Sequence, residues 1–311
     1  SRMISNLASI SKDAQIGQNV RIDPFAVIHE DVIIGNGCHI HSNAVLYPGT
    51  RIGEDCDVFP GASVGVIPQD LKFSNEYTTV EIGNHTKIRE CVTIHRGTND
   101  KLKTSIGDNC LLMTYVHVAH DCQIGNNVIL ASYTGLSGHV VIDDWAILEG
   151  KAAAQQFVHI GKHAFIGGAS LIRKDVPPYV KAAREPLAFA GVNSVGLRRR
   201  GFTEEQVREI EDIYRVLYVQ NSNISKGMKA LEGSSSSALL TEITDFIQNS
   251  ENGVIRGMIW FIVDKNSPFS SLPTHLVEEV YNKHKSQDST IKSEILRLAD
   301  MIEGPGDAIV L

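Results

Sequence analysis

The chain has no long hydrophobic run. Its longest, residues 257–263 (GMIWFIV), falls far short of the roughly 20 residues that cross a bilayer as a helix, so no integral membrane segment is expected. It also has no long basic run. Lys and Arg number 29 against 36 Asp and Glu, a formal net charge of −7, and that balance argues against nucleic acid as a partner. Cysteine is scarce, five in 311 residues. Cys38, Cys56, Cys110 and Cys122 share one position of a repeat, where a small inward side chain is wanted. They are expected to fill the core rather than form disulfides or bind metal, and unpaired thiols point to a reducing compartment. An initiator Met is missing. The chain starts Ser1-Arg2-Met3, which fits either a cloning remnant or the cut left when a targeting peptide is removed.

What is present is a period of six. One run of inward aliphatics reads Ile4, Ile10, Ile16, Ile22, Ile28, Ile34, Ile40, Leu46, Ile52, Val58, Val64. A second reads Ile82, Ile88, Ile94, and then Ile106, Leu112, Val118, Ile124, Leu130, Leu136, Ile142, Leu148, Ala154, Ile160, Ile166, Ile172. Four residues after most of them stands a small residue such as Ala8, Ala26, Cys38, Ala62 or Ala146. Gly, Asn and Asp cluster between, as in Ile106-Gly107-Asp108-Asn109, and these residues tolerate tight turns. Such a period predicts an all-β fold, a parallel β-helix of hexapeptide turns in the form of a triangular prism. Known prisms of this kind are left-handed, against the usual right-handed crossover. Three hexads make a coil, so positions one coil apart in sequence lie one above the other, about 4.8 Å apart.

The prism is expected over residues 1–180, with loop excursions at 65–81 and 97–105, since loops on a rigid scaffold carry function. Val176-Pro177-Pro178 ends the repeat. A mostly helical C-terminal domain is expected over 181–311. Thr203 caps a helix in a capping box with Gln206, and Val207, Ile210, Ile213, Tyr214 and Leu217 follow helical spacing. A second short helix precedes the Ser-rich break at 233–237, and amphipathic helices are expected at 239–247 and 291–302.

The chemistry concentrates at His117, His120, Asp121 and His139. Stacking puts Gly138 above His120 and Gln156 above Gly138, beside a second column of Asp121, His139 and Phe157. A histidine takes a proton from an attacking hydroxyl near neutral pH. A neighbouring carboxylate orients the ring, and a glycine amide without a Cβ in the way can serve an oxyanion. Acyl transfer fits this set. So do two blander alternatives: ordinary turn residues on a non-catalytic structural prism, and a zinc hydratase of the γ-carbonic anhydrase kind using His117, His120 and His139. Against zinc, His117 and His120 fall on different parts of a turn and no second carboxylate pair accompanies them.

At His117-Val118-Ala119-His120-Asp121-Cys122 the chain resembles the UDP-N-acetylglucosamine O-acyltransferases, which carry out the first step of lipid A synthesis. Gln69-Asp70-Leu71-Lys72, Thr93-Ile94-His95-Arg96-Gly97-Thr98, Gln156-Phe157, Asp175-Val176-Pro177-Pro178-Tyr179-Val180, Gly191-Val192-Asn193 and Leu197-Arg198-Arg199-Arg200-Gly201-Phe202 match as well. The likeness runs from near the start to about Arg256. It implies a homotrimer with sites in the clefts between subunits, and transfer of an (R)-3-hydroxyacyl group from acyl carrier protein to the glucosamine 3-hydroxyl without a cofactor. His120 would be the base, Asp121 its orienting partner and Gly138 the oxyanion amide. Asp70 and Lys72 match sugar-nucleotide contacts; His95, His117, His139, Gln156 and Asn193 match substrate-lining positions; Arg199 and Arg200 match residues near the nucleotide phosphates. Arg198, Arg199 and Arg200 also form a basic patch suited to an acidic carrier protein. Gly168 falls at the position that gauges acyl length, and a glycine there leaves room for a chain of about fourteen carbons.

Gln155 and Val195 depart from the pattern, where many relatives have a histidine and an acidic residue; nucleotide affinity is expected to be weaker for it. Residues 257–311 extend past the usual family end. That tail and the Ser-rich break suggest an organelle copy, mitochondrial, with the bacterial cytoplasm as the alternative.

Overall fold

A computed structural model describes residues 3–221, 223–234 and 236–257. Contacts divide the chain into residues 1–256 and 257–311, and the elements below belong to the first unit. The helix expected at 291–302 and all but the first residue of the run 257–263 lie outside the described residues.

The six-residue period becomes three parallel sheets, each taking every third strand. Most strands are two residues long. The first face begins at Met3–Ile4, the second at Ser9–Ile10 and the third at Gln15–Ile16. Partners are three hexads apart, as in Met3 with Arg21 and Ile22 with Ile40. Every inward aliphatic of the register from Ile22 to Ile172 is buried, each Val, Leu or Ile among them contributing roughly 1.5–3 kcal/mol. The four inward thiols are free and buried, and they also satisfy turn carbonyls. Cys38 donates to Gly53 O at 3.0 Å, Cys56 to Gly83 O at 3.0 Å, Cys110 to Gly125 O at 3.1 Å and Cys122 to Ser137 O at 3.2 Å.

From Asn19 to Ala169 the edge turns each contain a residue at positive φ. Asn and Asp fit that conformation well (Asn19 at 55°, Asn109 at 56°), but Phe25, Tyr115 and Trp145 adopt it too, at 66°, 61° and 65°. Such angles are strained for bulky side chains. The stack compensates by giving these turn amides carbonyls in the coil before: Tyr115 N–H donates to Glu90 O at 3.0 Å and Trp145 N–H to Asn126 O at 2.9 Å.

Both excursions leave the edge between the second and third faces. The first spans residues 67–78 rather than 65–81, because Ser63–Val66 and Thr79–Ile82 stay in the ladders. The second spans 96–102 rather than 97–105, because Lys103–Ile106 is strand. The ladder simply skips them: Asp57 pairs with Lys87 across the first, and Thr93 with His117 across the second.

The region from 181 does not start helical. Val180–Ala183 extends the first face, with Phe165 beside Lys181, and then pairs antiparallel with Ala188–Val192. This hairpin escapes a hexad reading because Val180, Lys181 and Ala182 alternate buried and half-buried with a period of two. Among the described residues four helices follow: α1 Ser194–Arg199, α2 Glu204–Tyr218, α3 Ile224–Leu231 and α4 Ala238–Gln248. The capping box of α2 forms as its sequence predicts, with Gln206 N–H on Thr203 Oγ1 at 3.2 Å and Thr203 N–H on Gln206 Oε1 at 2.9 Å. Its apolar face buries Val207, Ile210, Tyr214 and Leu217, and Tyr218 donates its hydroxyl to Ile255 O at 2.9 Å. Among the described residues no helix is long and apolar enough to cross a membrane.

Candidate active site

Residues 119–122 turn the corner between the second-face strand His117–Val118 and the third-face strand Gln123–Ile124. His120 and Asp121 occupy that turn. One coil on, Gly138 and His139 occupy the equivalent turn, and His139 N–H donates to His120 O at 3.1 Å. The expected stacking therefore holds. A Cβ on Gly138 would lie 2.5 Å from His120 Cε1 and 2.7 Å from Nε2. The glycine is thus needed to seat the imidazole, a different reason from the substrate access inferred from sequence. His120 lies at the edge, 7% exposed, and does not point into the aliphatic interior.

His120 Nδ1 is 2.8 Å from Asp121 Oδ2, which leaves Nε2 for a substrate. The Asp121 carboxylate is held from the other side by the second excursion. Thr98 N–H donates to Oδ1 at 2.9 Å, Thr98 Oγ1 to Oδ2 at 2.6 Å and Lys101 N–H to Oδ1 at 3.3 Å. Burial alone pushes this carboxyl up, but the Thr98 hydroxyl, the His120 ring and the Thr98 N–H together hold it below the usual aspartate range. Asp121 is therefore a carboxylate at neutral pH, and the proton on His120 belongs at Nδ1.

The amide of Gly138 adds a donor. On the edge between the third and first faces, equivalent amides are capped by side chains one coil on: Asn84 N–H by Asp108 Oδ1 and Asp108 N–H by Asn126 Oδ1, both at 2.7 Å. Gly138 is buried, and among the described residues its N–H has no such partner. A buried amide without a partner is rare, and this one lies beside the ring of His120.

His139 completes the cluster. It stands perpendicular to His120 at 5.2 Å, stacks on Phe157 at 4.5 Å, and holds Nδ1 3.2 Å from Asp100 Oδ2 and Nε2 3.6 Å from Asp121 Oδ2. Gln156 is exposed on the same edge. His117 turns elsewhere: its Nδ1 meets Thr93 Oγ1 at 2.7 Å and its ring lies edge-on to His95 at 4.9 Å. Among the described residues the ligand atoms within mutual reach here are those of His120, Asp121 and His139. The three-histidine zinc arrangement expected for a hydratase is therefore not the one formed. Burial, then repulsion from His117 and His120, brings His95 down to about 4, and burial lowers His117.

Thr98, Asp100 and Lys101 were missed from sequence. Counting one regular coil back from Asp121 lands on Lys103. The coil that contains the second excursion is longer, since Thr93 pairs with His117, and the same step back from Asp121 lands on Gly97 beside Thr98. Asp70 and Lys72 lie in the first excursion, on the same edge, with Lys72 N–H donating to Asp70 Oδ1 at 2.9 Å. The remaining expected residues are on other edges. Gly168 is exposed at the edge between the first and second faces, its N–H on Glu149 Oε2 at 3.0 Å. Asn193 is buried beside the third-to-first edge, donating to His163 O at 3.0 Å. Arg200 meets His163 Nδ1 at 3.1 Å and lies over Trp145. The basic patch is partly neutralised, since Arg198 pairs with Glu204 at 2.7 Å while Arg199 is exposed.

A histidine oriented by a carboxylate at 2.8 Å, with an unclaimed amide beside it on a hexapeptide prism, can accept a proton from a hydroxyl and hold an oxyanion, which is the chemistry of a hexapeptide transferase. Comparison with known proteins agrees and narrows it. Residues 13–47, 31–65 and 103–138 match the bacterial transferase hexapeptide model, and residues 175–258 match domain 2 of UDP N-acetylglucosamine O-acyltransferase. An acyl-[acyl-carrier-protein]–UDP-N-acetylglucosamine O-acyltransferase of Burkholderia mallei is 41% identical over 201 residues, 63% of this chain and 77% of the relative. The crystal structure of a UDP-N-acetylglucosamine acyltransferase from Bacteroides fragilis aligns with TM-score 0.79 at 45% identity, over 82% of this chain and 100% of that one. An Arabidopsis UDP-N-acetylglucosamine acyltransferase aligns with TM-score 0.73 at 33% identity, over 82% and 99%. The chain belongs to the UDP-N-acetylglucosamine O-acyltransferases and is an O-acyltransferase.

Two outcomes follow from this geometry. Gly138→Ala places a methyl in the seat of the imidazole, so turnover should fall about 100-fold while the circular dichroism of the β-helix is kept; a variant with unchanged turnover would show that the ring needs no such seat. His95 gives a pH dependence. Its unfolded ring takes up a proton near 6.5 and its folded ring only at about 4, so acidification through that window favours the unfolded chain. Its contribution is complete above pH 6.5 and declines toward pH 4. Guanidinium midpoints measured between pH 7 and 4 should fall less in His95→Gln than in the parent, and parallel curves would acquit His95.

Proposed function

We propose that the chain transfers an (R)-3-hydroxyacyl group from acyl carrier protein to the 3-hydroxyl of UDP-N-acetylglucosamine, with His120 as general base. The substrates are those named for the relatives above. The observation that carries the catalytic assignment is the pairing of His120 Nδ1 with Asp121 at 2.8 Å beside the unclaimed Gly138 amide. Nε2 of His120 takes the proton of the sugar hydroxyl as its oxygen attacks the thioester carbonyl. Asp121 stabilises the imidazolium. The Gly138 N–H donates to the oxyanion, a contribution of about 3 kcal/mol where such donors have been removed. The intermediate then expels the carrier thiolate, which receives the proton from Nε2.

Asp70 and Lys72 bind the nucleotide sugar, the lysine meeting a phosphate. His95, His117, His139, Gln156 and Asn193 line the substrate, and Arg199 and Arg200 face the nucleotide phosphates. Gly168 admits an acyl chain of about fourteen carbons. The dispersal of Gly168, His120 and Asn193 over three edges supports a homotrimer in which neighbouring subunits complete each site. Identity is higher to the Bacteroides structure (45%) than to the Arabidopsis one (33%), which supports the bacterial alternative over an organelle copy.

The test is incubation with UDP-N-acetylglucosamine and hydroxyacyl carrier proteins of graded length, following the 3-O-acyl product. His120→Ala should lower turnover by more than roughly 1,000-fold without loss of assembly, and a variant that turns over normally would remove His120 as the base. In the length series, a strong preference for ten-carbon donors over fourteen would sink the part given to Gly168.

A further inference from the structure

Glu76 has no part in the chemistry above, yet it joins the two excursions. Its Oε1 accepts the Asn99 N–H at 3.1 Å, and its Oε2 accepts the Ser74 N–H at 2.7 Å and the Ser74 hydroxyl at 3.1 Å. Asn99 adjoins Thr98, which grips Asp121 at 2.9 and 2.6 Å. Asp121 in turn orients His120. On the other side Tyr77, next to Glu76, fastens the first excursion to the prism: its hydroxyl meets Arg51 Nη2 at 2.9 Å and Asp31 Oδ2 at 3.1 Å.

The second excursion needs such a tie. Residues 96–102 stand outside the ladder, and Asn99, Asp100 and Lys101 are exposed. Its base is fixed by Gly97 N–H on Thr79 O at 3.2 Å and by Leu102 N–H on Thr98 O at 2.8 Å. Its tip is held by Glu76 from the first excursion and, from the prism, by Asp121 on the Lys101 N–H and by His139 beside Asp100. Without that hold Thr98 gains freedom, and the carboxylate it grips loses fixed donors in a buried place.

We propose that Glu76 is a positioning residue that couples the excursion carrying Asp70 and Lys72 to the His120–Asp121 pair, so that a nucleotide sugar engaging the first excursion also fixes the geometry of the base. The inference rests on the function assigned above to His120 and to that excursion.

Glu76→Ala, Glu76→Gln and His120→Ala are compared in the full chain. The assay reads kcat and KM, and amide hydrogen exchange is followed over residues 96–102 with and without UDP-N-acetylglucosamine. Glu76→Ala should lose about tenfold in kcat with the nucleotide KM within about twofold. Glu76→Gln, whose amide oxygen still accepts from Asn99, should recover most of that loss. The nucleotide sugar should slow exchange over 96–102 in the parent and in Glu76→Gln, and should do so little in Glu76→Ala. Unchanged kcat, a loss confined to KM, or a glutamine variant as poor as alanine would each overturn the coupling. An inactive His120→Ala beside a fully active Glu76→Ala rejects this inference alone, whereas an active His120→Ala rejects the base assignment and the coupling with it.

Discussion

The backbone ladder between coils is the constraint on which everything else depends. Amides such as Gly107 and Gly125 donate to carbonyls one coil away, Ile124 O and Ile142 O, at 2.9 and 2.7 Å. A ladder of that kind fixes register absolutely: a slip of one residue would turn the aliphatic row outward. It also turns sequence spacing into vertical stacking, so any edge position becomes a column. Asp121, His139 and Phe157 occupy one such column, with φ of 60°, 64° and 66°. The strain at those residues is tolerated because each turn amide finds an acceptor in the coil before it, Thr104 Oγ1 for Asp121, His120 O for His139 and Gly138 O for Phe157. The cluster of titratable groups is thus held by the same bonds that hold the fold.

Stacking alone would leave Asp121 poorly placed. A carboxylate with almost no exposure resists ionisation, and a protonated Asp121 would no longer fix the tautomer of His120. The second excursion reverses the balance by bringing a hydroxyl and two amides to the carboxylate. Hydrogen bonds to the charged form outweigh desolvation. An insertion that looks in sequence like a gap in the repeat therefore joins His120 in keeping Asp121 ionised.

The prism was legible because its signal is redundant. Each hexad repeats the same demand for an aliphatic, a small residue and a turn, so single departures such as Ala154 do no harm. The pairing of His120 with Gly138 followed from spacing within uninterrupted coils. What spacing could not supply was anything crossing an insertion, since the step from Thr93 to His117 or from Asp57 to Lys87 is longer than a regular coil and no periodicity announces its length. Thr98 and Glu76 were hidden for that reason. The hairpin from Val180 was hidden for another: its period of two sits where the hexad had already ended. The capping box at Thr203 and Gln206 was readable because it is local, confined to the first turn of one helix.

The rigidity of the prism also limits what one chain can do alone. Gly168 and His120 sit on different edges, separated by the second face, and a continuous ladder cannot bend to bring two edges together. Asn193 and Arg200 sit beside the third. Side chains at an edge reach a few ångströms, whereas a nucleotide sugar bearing a long acyl chain is far longer than one turn is wide. If Gly168 gauges the chain that His120 transfers, the two must come from different copies, with the edge of one prism facing the edge of the next. The same ladder that places His120 beside Gly138 thus keeps the edges of one prism apart, and on that reading it is this geometric limit, more than any exposed apolar patch, that argues for assembly.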